Sequence, residues 1–183
     1  MSAGREPDPE PPTPRVRLRP VDETTLTWLV RAARADADPG EVTPALTPGS
    51  TWTPERIDWL ERFHADRRGG LAGPAGEATW AVEADGAVVG SVRLKRTDEP
   101  GVFETGIWLT RGARGRGVGR QALAAVLREA AASGGHEVRA DTTAGNGPAL
   151  AVLRTLDFVC VDAGGDRVLA RRRLPGTTRA PGR

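Results

Sequence analysis

Apolar positions change their period repeatedly along the chain, and each change marks an element. From Arg15 to Pro20, "RVRLRP" alternates basic and apolar residues, the period of a half-buried strand. Asp22 then stands where a side-chain oxygen caps a helix over Glu23 to Ala35, with Leu26, Leu29, Val30 and Ala33 on one face. A loop rich in Pro, Gly and Thr follows from Asp36 to Trp52. Thr53-Pro54 opens a second helix with proline at its first position, and Ile57, Leu60 and Phe63 line one side until "RRGGLAGPAG" ends it. Two strands, Ala78 to Glu83 and Ala87 to Arg96, flank the turn dipeptide Asp85-Gly86. "VFETGIWLT" (Val102 to Thr110) reads as a third strand of the same sheet. A long helix is expected over Gly117 to Ser133, where Leu123, Val126, Leu127 and Ala130 recur at helical spacing. "HEVRADT" is the next strand, and "GPALAVLRTL" a short helix with Ala149, Val152, Leu153 and Leu156 on its face. "FVCVDA" and "RVLARRRL" close the chain as a hairpin through Gly164-Gly165. The order β-α-α-β-β-β-α-β-α-β-β predicts an α/β (α+β) domain over residues 15–174, a mixed and mostly antiparallel sheet with helices on both faces.

Composition narrows the classes. A chain of 183 residues fits one domain that buries roughly two-thirds of its unfolded surface. Residues 1–14 and 175–183 are rich in Pro and polar residues, and are expected to be disordered tails. With 26 basic and 24 acidic side chains the net charge is +2, which argues against a broad nucleic-acid-binding surface. Arginine supplies nearly all the positive charge, Lys95 being the one lysine, and this usage carries little functional weight. Cys160 is the single cysteine, so no internal disulfide forms, and in "FVCV" it reads as a buried strand residue and not a nucleophile. With only His64 and His136 beside it, no zinc site is expected. There is no 18-residue apolar stretch and no signal-peptide core at the N-terminus, so no membrane association and a cytoplasmic location are the expectation.

One segment stands apart. "TRGARGRGVGRQAL" (Thr110 to Leu123) sets four glycines and four arginines between a strand and a helix. Amides at a helix start are unpaired and carry the positive end of the helix dipole. Gly115, Gly117 and Gly119 clear side chains from that place, and Arg114, Arg116 and Arg120 offer charge-assisted hydrogen bonds, so an anion cradle is one reading and a flexible basic loop the other. A dinucleotide G-x-G-x-x-G fails because Arg120 stands at its third glycine, and a Walker A loop fails for want of a lysine.

"RGRGVG" (Arg114 to Gly119) resembles the (Q/R)-x-x-G-x-(G/A) loop of the GCN5-related N-acetyltransferases, with Arg114, Gly117 and Gly119 at its defined positions. "NGPALAVLRTLDF" is similar to the N-x-x-(A/S)-x₇-G-F segment of that family; Asn146, Ala149 and Phe158 keep register while Asp157 stands where glycine is usual. The resemblance spans Arg15 to Leu174 and implies an acetyl-CoA-dependent transferase acting on an amine by direct transfer. It implies that the amides of Arg116, Gly117, Val118, Gly119 and Arg120, with Gly115 and Arg114, hold the cofactor's pyrophosphate. Pantetheine would then run beside Ile107 and Leu109, where the family parts this strand from the next. Asn146 would face the far arm of the cofactor, and a backbone amide near Leu109 would polarise the thioester carbonyl. No metal is implied, and a homodimer is compatible with the family.

Many members protonate the leaving thiolate with a tyrosine seven residues after the asparagine; here that position is Leu153, and the chain has no tyrosine. "AVLRTLDF" and "TPERIDWLERF" resemble the ribosomal-protein N-terminal acetyltransferase branch, and "ETGIWL" resembles its "EIGYWL" strand, which makes Glu104 the candidate base. His64 and His136, set in polar surroundings on a helix end and a strand start, are poor candidates. Trp52, Trp80 and Trp108 are expected in the core or pocket wall, with Trp108 nearest the acceptor. Asp98 and Glu99 either attract a cationic acceptor or are solvated loop charges. The acceptor is then a protein N-terminus or a small amine, such as an aminoglycoside-like antibiotic. A non-catalytic acyl-CoA sensor and a nucleic-acid-binding loop are the readings from other classes.

Overall fold

Strand β1 (Val16–Pro20) forms one edge of a seven-stranded sheet and leads into α1 (Glu23–Asp36), the single-turn α2 (Pro39–Val42) and α3 (Pro54–Ala65). Next come β2 (Glu77–Ala84), β3 (Ala87–Arg96), β4 (Val102–Leu109) and α4 (Val118–Ala132). The chain closes with β5 (Glu137–Thr143), α5 (Gly147–Thr155), β6 (Val159–Asp162) and β7 (Arg167–Arg173). The structure is a computed structural model and describes residues 13–175; most of the two expected tails lies outside the described residues, Thr13, Pro14 and Pro175 excepted.

The strands lie in the order β1-β2-β3-β4-β5-β7-β6. Every pairing is antiparallel but β4 with β5, which is parallel and needs the long crossover that α4 supplies. Between β2 and β3, Asp85 (φ 50°) and Gly86 (φ 87°) both take the left-handed conformation that a two-residue hairpin requires. Alternation along the strands divides two cores. Val82, Val92, Leu94, Phe103, Val138 and Ala140 meet Val118, Ala122, Val126 and Leu153 of α4 and α5 on one face. On the other, Ala81 meets Leu29 and Val21, while Val30, Ala33 and Leu60 join α1 to α3. Helices therefore cover both faces of the sheet, as the periodicity implied.

Three local differences have physical causes. The expected loop from Asp36 to Trp52 contains α2, which Asp38 caps through the Gly40 amide (2.8 Å) with Pro39 at the first helical position. One turn is too short to show a period, although the Asp-Pro start was present. The buried residues of α3 are Arg56, Leu60 and His64; of the expected Ile57, Leu60 and Phe63 only Leu60 is among them, the other two being half-buried. Arg56 is buried because four acceptors wrap it: Thr47 Oγ1 at 3.0 Å, Thr43 Oγ1 at 2.9 Å, and the carbonyls of Thr47 (2.9 Å) and Gly49 (3.2 Å). His64 is likewise not in polar surroundings; it is 1 % exposed, with Nδ1 3.0 Å from Thr79 Oγ1.

At the far end of α5 the Phe158 amide bonds to the Leu153 carbonyl and the Asp157 amide to the Arg154 carbonyl, both at 3.0 Å. This closure needs a left-handed residue between helix and strand, and Asp157 takes it at φ 59°. The usual glycine at this position has its reason there.

Candidate active site

Strands β3 and β4 stay paired along their length, to Gly90 opposite Leu109. By contrast β5 pairs with β4 only from Val102–Glu137 to Thr105–Ala140, so beyond Thr105 the two strands part. Gly90 explains which way β4 leans. A Cβ there would lie 2.2 Å from the Trp108 carbonyl oxygen and 3.0 Å from Leu109 Cα, so the bare backbone lets β4 press towards β3 and away from β5. Residues Gly106 to Leu109 are left without a β5 partner, lining a fork in the sheet.

The glycine-arginine loop closes the wide end of this fork. It leaves β4 through a 3-10 turn (Arg111–Ala113), held by a 2.8 Å bond from the Gly112 amide to Asp36 Oδ2. Gly115 (φ 72°) and Gly117 (φ 77°) sit in the left-handed region, and Gly117 is the N-cap of α4 with no side chain to cap it. The first bond into the helix is from the Gln121 amide to the Gly117 carbonyl, 3.1 Å. Among the described residues, none of the amides of residues 115–120 donates to a protein acceptor. Six consecutive bare donors thus sit at the positive end of a 15-residue helix, where the dipole is worth roughly half a charge. Val118 is 1 % exposed and anchors the turn, and a Cβ on Gly119 would touch Leu109 Cδ1 at 3.5 Å. Loop and strand end are therefore neighbours, with Ile107 and Leu109 half-buried on the α4 side.

The arginines do different work. Arg114 turns back, donating to the Leu109 carbonyl through Nη2 (2.9 Å) and Nε (3.2 Å) while pairing with Glu41 of α2. It ties the loop to the strand it leaves. Arg116 lies 3.9 Å from Asp85 Oδ2, and Arg120 is exposed on the first turn of α4.

The opposite face of β4 carries Glu104, Gly106 and Trp108. Trp108 packs against the α1 and α3 clusters beside Trp52, whose Nε1 donates to the Ala37 carbonyl at 3.1 Å; Trp80 lies on the α4 side. The Glu104 side chain is 41 % exposed and pairs with Arg93 of β3. Arg93 in turn donates to Glu77 Oε1 (3.2 Å), and Glu77 Oε2 takes Arg67 Nε at 2.6 Å. Glu99 is held by both terminal nitrogens of Arg139, whose hydrogen bonds keep its carboxyl below the ordinary value. Asp141 and Arg167 pair at the free end of β5, in an open cleft of about 440 Å³ that Thr142, Thr143 and Asp166 complete.

Helix α5 carries Asn146 and Leu153. Asn146 Oδ1 caps α5 by accepting from the Ala149 amide at 3.2 Å, and Leu153 is core, 4 % exposed. Neither histidine reaches the fork: His136 is exposed where β5 begins, and burial, with Arg67 behind it, lowers the pKa of His64 to about 4. Cys160 is half-buried on β6. Among the described residues no three His, Cys, Asp or Glu side chains converge as metal ligands, and no helix is long and apolar enough to cross a membrane. Sequence reading missed Arg93 and Glu77, whose partnership depends on strand register, and Glu41, which depends on α2.

Comparison with known proteins adds the following. The sequence model described as Acetyltransferase (GNAT) family matches residues 47–158, more than half of the chain. Among solved structures, Mycobacterium smegmatis RimJ in complex with a CoA-disulfide is 22 % identical, with 86 % of this chain and 81 % of that one covered at TM-score 0.71. The ribosomal L7/L12 α-N-protein acetyltransferase RimL in complex with coenzyme A is 18 % identical, covering 87 % and 94 % at 0.65. Campylobacter jejuni N-acetyltransferase PseH in complex with acetyl coenzyme A is 14 % identical, covering 88 % and 100 % at 0.58. No curated protein matches the chain.

Proposed function

The chain belongs to the acetyltransferase (GNAT) family, and from that premise we propose that it moves an acetyl group from acetyl-CoA directly to a primary amine, with a protein N-terminus as acceptor. The observation that carries this reading is the row of six amides, 115–120, without a partner among the described residues, beside a strand that has parted from its neighbour. The amides and the helix dipole fit the two phosphates of a pyrophosphate, and glycine at 115, 117 and 119 leaves the approach open. Arg116 and Arg120 supply charge at the rim, while Arg114 acts by keeping the loop against Leu109. The fork offers Gly106 to Leu109, with the Ile107 and Leu109 side chains, to the pantetheine arm. Nothing assigns Asn146 more than its cap.

Acetyl-CoA supplies the thioester. The amine nitrogen attacks the thioester carbonyl carbon, the carbon–sulfur bond breaks, and the amine's proton passes to Glu104, directly or through one water. The departing thiolate takes its proton from water or from a side chain other than tyrosine, which the chain lacks. An N-terminal amine suits this arrangement. With a pKa near 7.7–8.0 it is appreciably neutral at pH 7, whereas a lysine amine near 10.4 is neutral only about once in a thousand. The fold likeness to RimL, a ribosomal L7/L12 α-N-protein acetyltransferase, supports the same class of acceptor.

The test is a side-by-side screen of peptide N-termini and aminoglycosides for thiol release from acetyl-CoA, with calorimetry of acetyl-CoA binding. Turnover on peptides supports the reading, and turnover on aminoglycosides alone moves the acceptor to small amines. Tight binding without turnover on any amine marks a sensor. In the same assay Gly117→Glu puts a negative side chain into the cradle and is expected to abolish acetyl-CoA binding. Micromolar binding retained by that variant overturns the cradle.

A further inference from the structure

A chain of alternating charges crosses the sheet under the fork. It begins at Arg67, two residues beyond α3, whose guanidinium lies 3.7 Å over the Phe63 ring and whose Nη1 donates to the Phe63 carbonyl at 2.8 Å. Glu77 follows, with a side chain 4 % exposed and each oxygen taken by a different arginine. Such a carboxylate has no solvent to turn to and is fixed by its two partners. Arg93 comes next. Its Nη1 is held by Glu77 at 3.2 Å, its Nη2 meets Glu104, and its Nε lies where a Cβ on Gly106 would stand, at 2.9 Å. Glycine at 106 is therefore what lets the guanidinium lie across β4 and reach the next carboxylate. Among the described residues Arg93 is the one cation that forms an ion pair with Glu104. Lys95 stands opposite it on β3; Arg139 stands opposite it on β5, bound to Glu99 and Glu137; Arg167 on β7 is bound to Asp141.

We propose that Arg93 is a positioning residue for acetyl transfer: anchored by buried Glu77 and seated on the bare strand at Gly106, it holds the Glu104 carboxylate at the fork between β4 and β5. The proposal rests on the reading of Glu104 as the group that receives the amine's proton. Free of Arg93, a side chain as exposed as Glu104 samples several rotamers, and a displacement of 1 Å at a reacting group costs about 100-fold in rate. Lysine is a partial substitute, since a point charge cannot bridge two carboxylates as the planar guanidinium does.

The experiment uses the best-turned-over amine among Ser- and Ala-starting peptides and kanamycin, and measures kcat, acceptor KM and the acetyl-CoA Kd. Arg93→Met is expected to lower kcat about 100-fold with the acetyl-CoA Kd unchanged, and Arg93→Lys to restore part of it. Gly106→Ala keeps every charge but displaces the guanidinium, and is expected to lower kcat about 10-fold. Because Arg93 acts through Glu104, the double variant Arg93→Met/Glu104→Gln should be no slower than Glu104→Gln alone. Wild-type kcat in Arg93→Met, or losses that multiply in the double variant, overturns the proposal. Wild-type kcat in Glu104→Gln instead overturns the underlying role of Glu104. If Arg93→Met fails to bind acetyl-CoA because it does not fold, Gly106→Ala and Arg93→Lys decide, and wild-type kcat in both refutes the proposal.

Discussion

The burial of His64 makes a quantitative demand on stability. Nδ1 is 3.0 Å from Thr79 Oγ1, Nε2 is buried without a partner, and the ring is 1 % exposed. Loss of hydration, and then the charge of Arg67, lower its pKa from 6.5 to about 4. The folded protein therefore keeps the ring neutral where the unfolded chain protonates it. Stability is intact above pH 6.5 and falls as pH drops towards 4. Between pH 7.5 and 5.0 the loss integrates to about 2 kcal/mol. In a domain of this size that is roughly 4–8 °C in Tm. Asp22, Glu55 and Glu99, whose carboxyls hydrogen bonds hold below their ordinary values of 3.8, 4.5 and 4.5, cost stability only once pH falls towards those values, where the unfolded chain protonates them. The window from 7.5 to 5.0 thus isolates the histidine. Replacing both partners by apolar groups, His64→Leu/Thr79→Val, removes the proton-linked penalty without leaving an orphaned hydroxyl. Thermal melts of both proteins at half-unit steps of pH are the assay. The wild-type Tm should fall and that of the double variant should stay nearly level; parallel curves would refute the reasoning.

Two further substitutions separate structural from functional roles at α5. Asn146→Ala should cost about 1 kcal/mol by removing the helix cap, with the acetyl-CoA Kd unchanged by calorimetry; a tenfold weaker Kd at unaltered Tm would instead place Asn146 on the cofactor. Asp157→Gly relieves the left-handed backbone at φ 59°, and denaturant unfolding should show a gain of about 0.5–1 kcal/mol.

The parts of the site that depend on backbone alone are the parts the sequence displays. Gly115, Gly117 and Gly119 mark the proposed cradle at a fixed spacing: the first two take φ of 72° and 77°, which glycine permits, and the third keeps the start of α4 clear of a side chain. Parts that depend on register are silent. Arg93 meets Glu104 because β3 and β4 pair with Lys95 opposite Glu104, so that Arg93 lies across Gly106. No local pattern specifies that offset. The buried stripe of α3 was misplaced because it contains Arg56 and His64, polar residues satisfied by Thr43, Thr47 and Thr79 at other points of the chain. Hydrophobic periodicity cannot count a buried arginine.

The fork in the sheet also bears on how the chain assembles. β1 to β4 form one antiparallel run, β5 to β7 another, and only four residue pairs, Val102–Thr105 against Glu137–Ala140, join them. Each run draws its strands from one continuous half of the chain, and most of its pairs link neighbours in sequence. The joint is parallel and must wait for α4 to cross over, closing a loop before any of its bonds can form. The two halves are thus expected to behave as separate cooperative units, with the seam between them closing last and opening first. The region where this protein is slowest to become native is then the region proposed to receive acetyl-CoA.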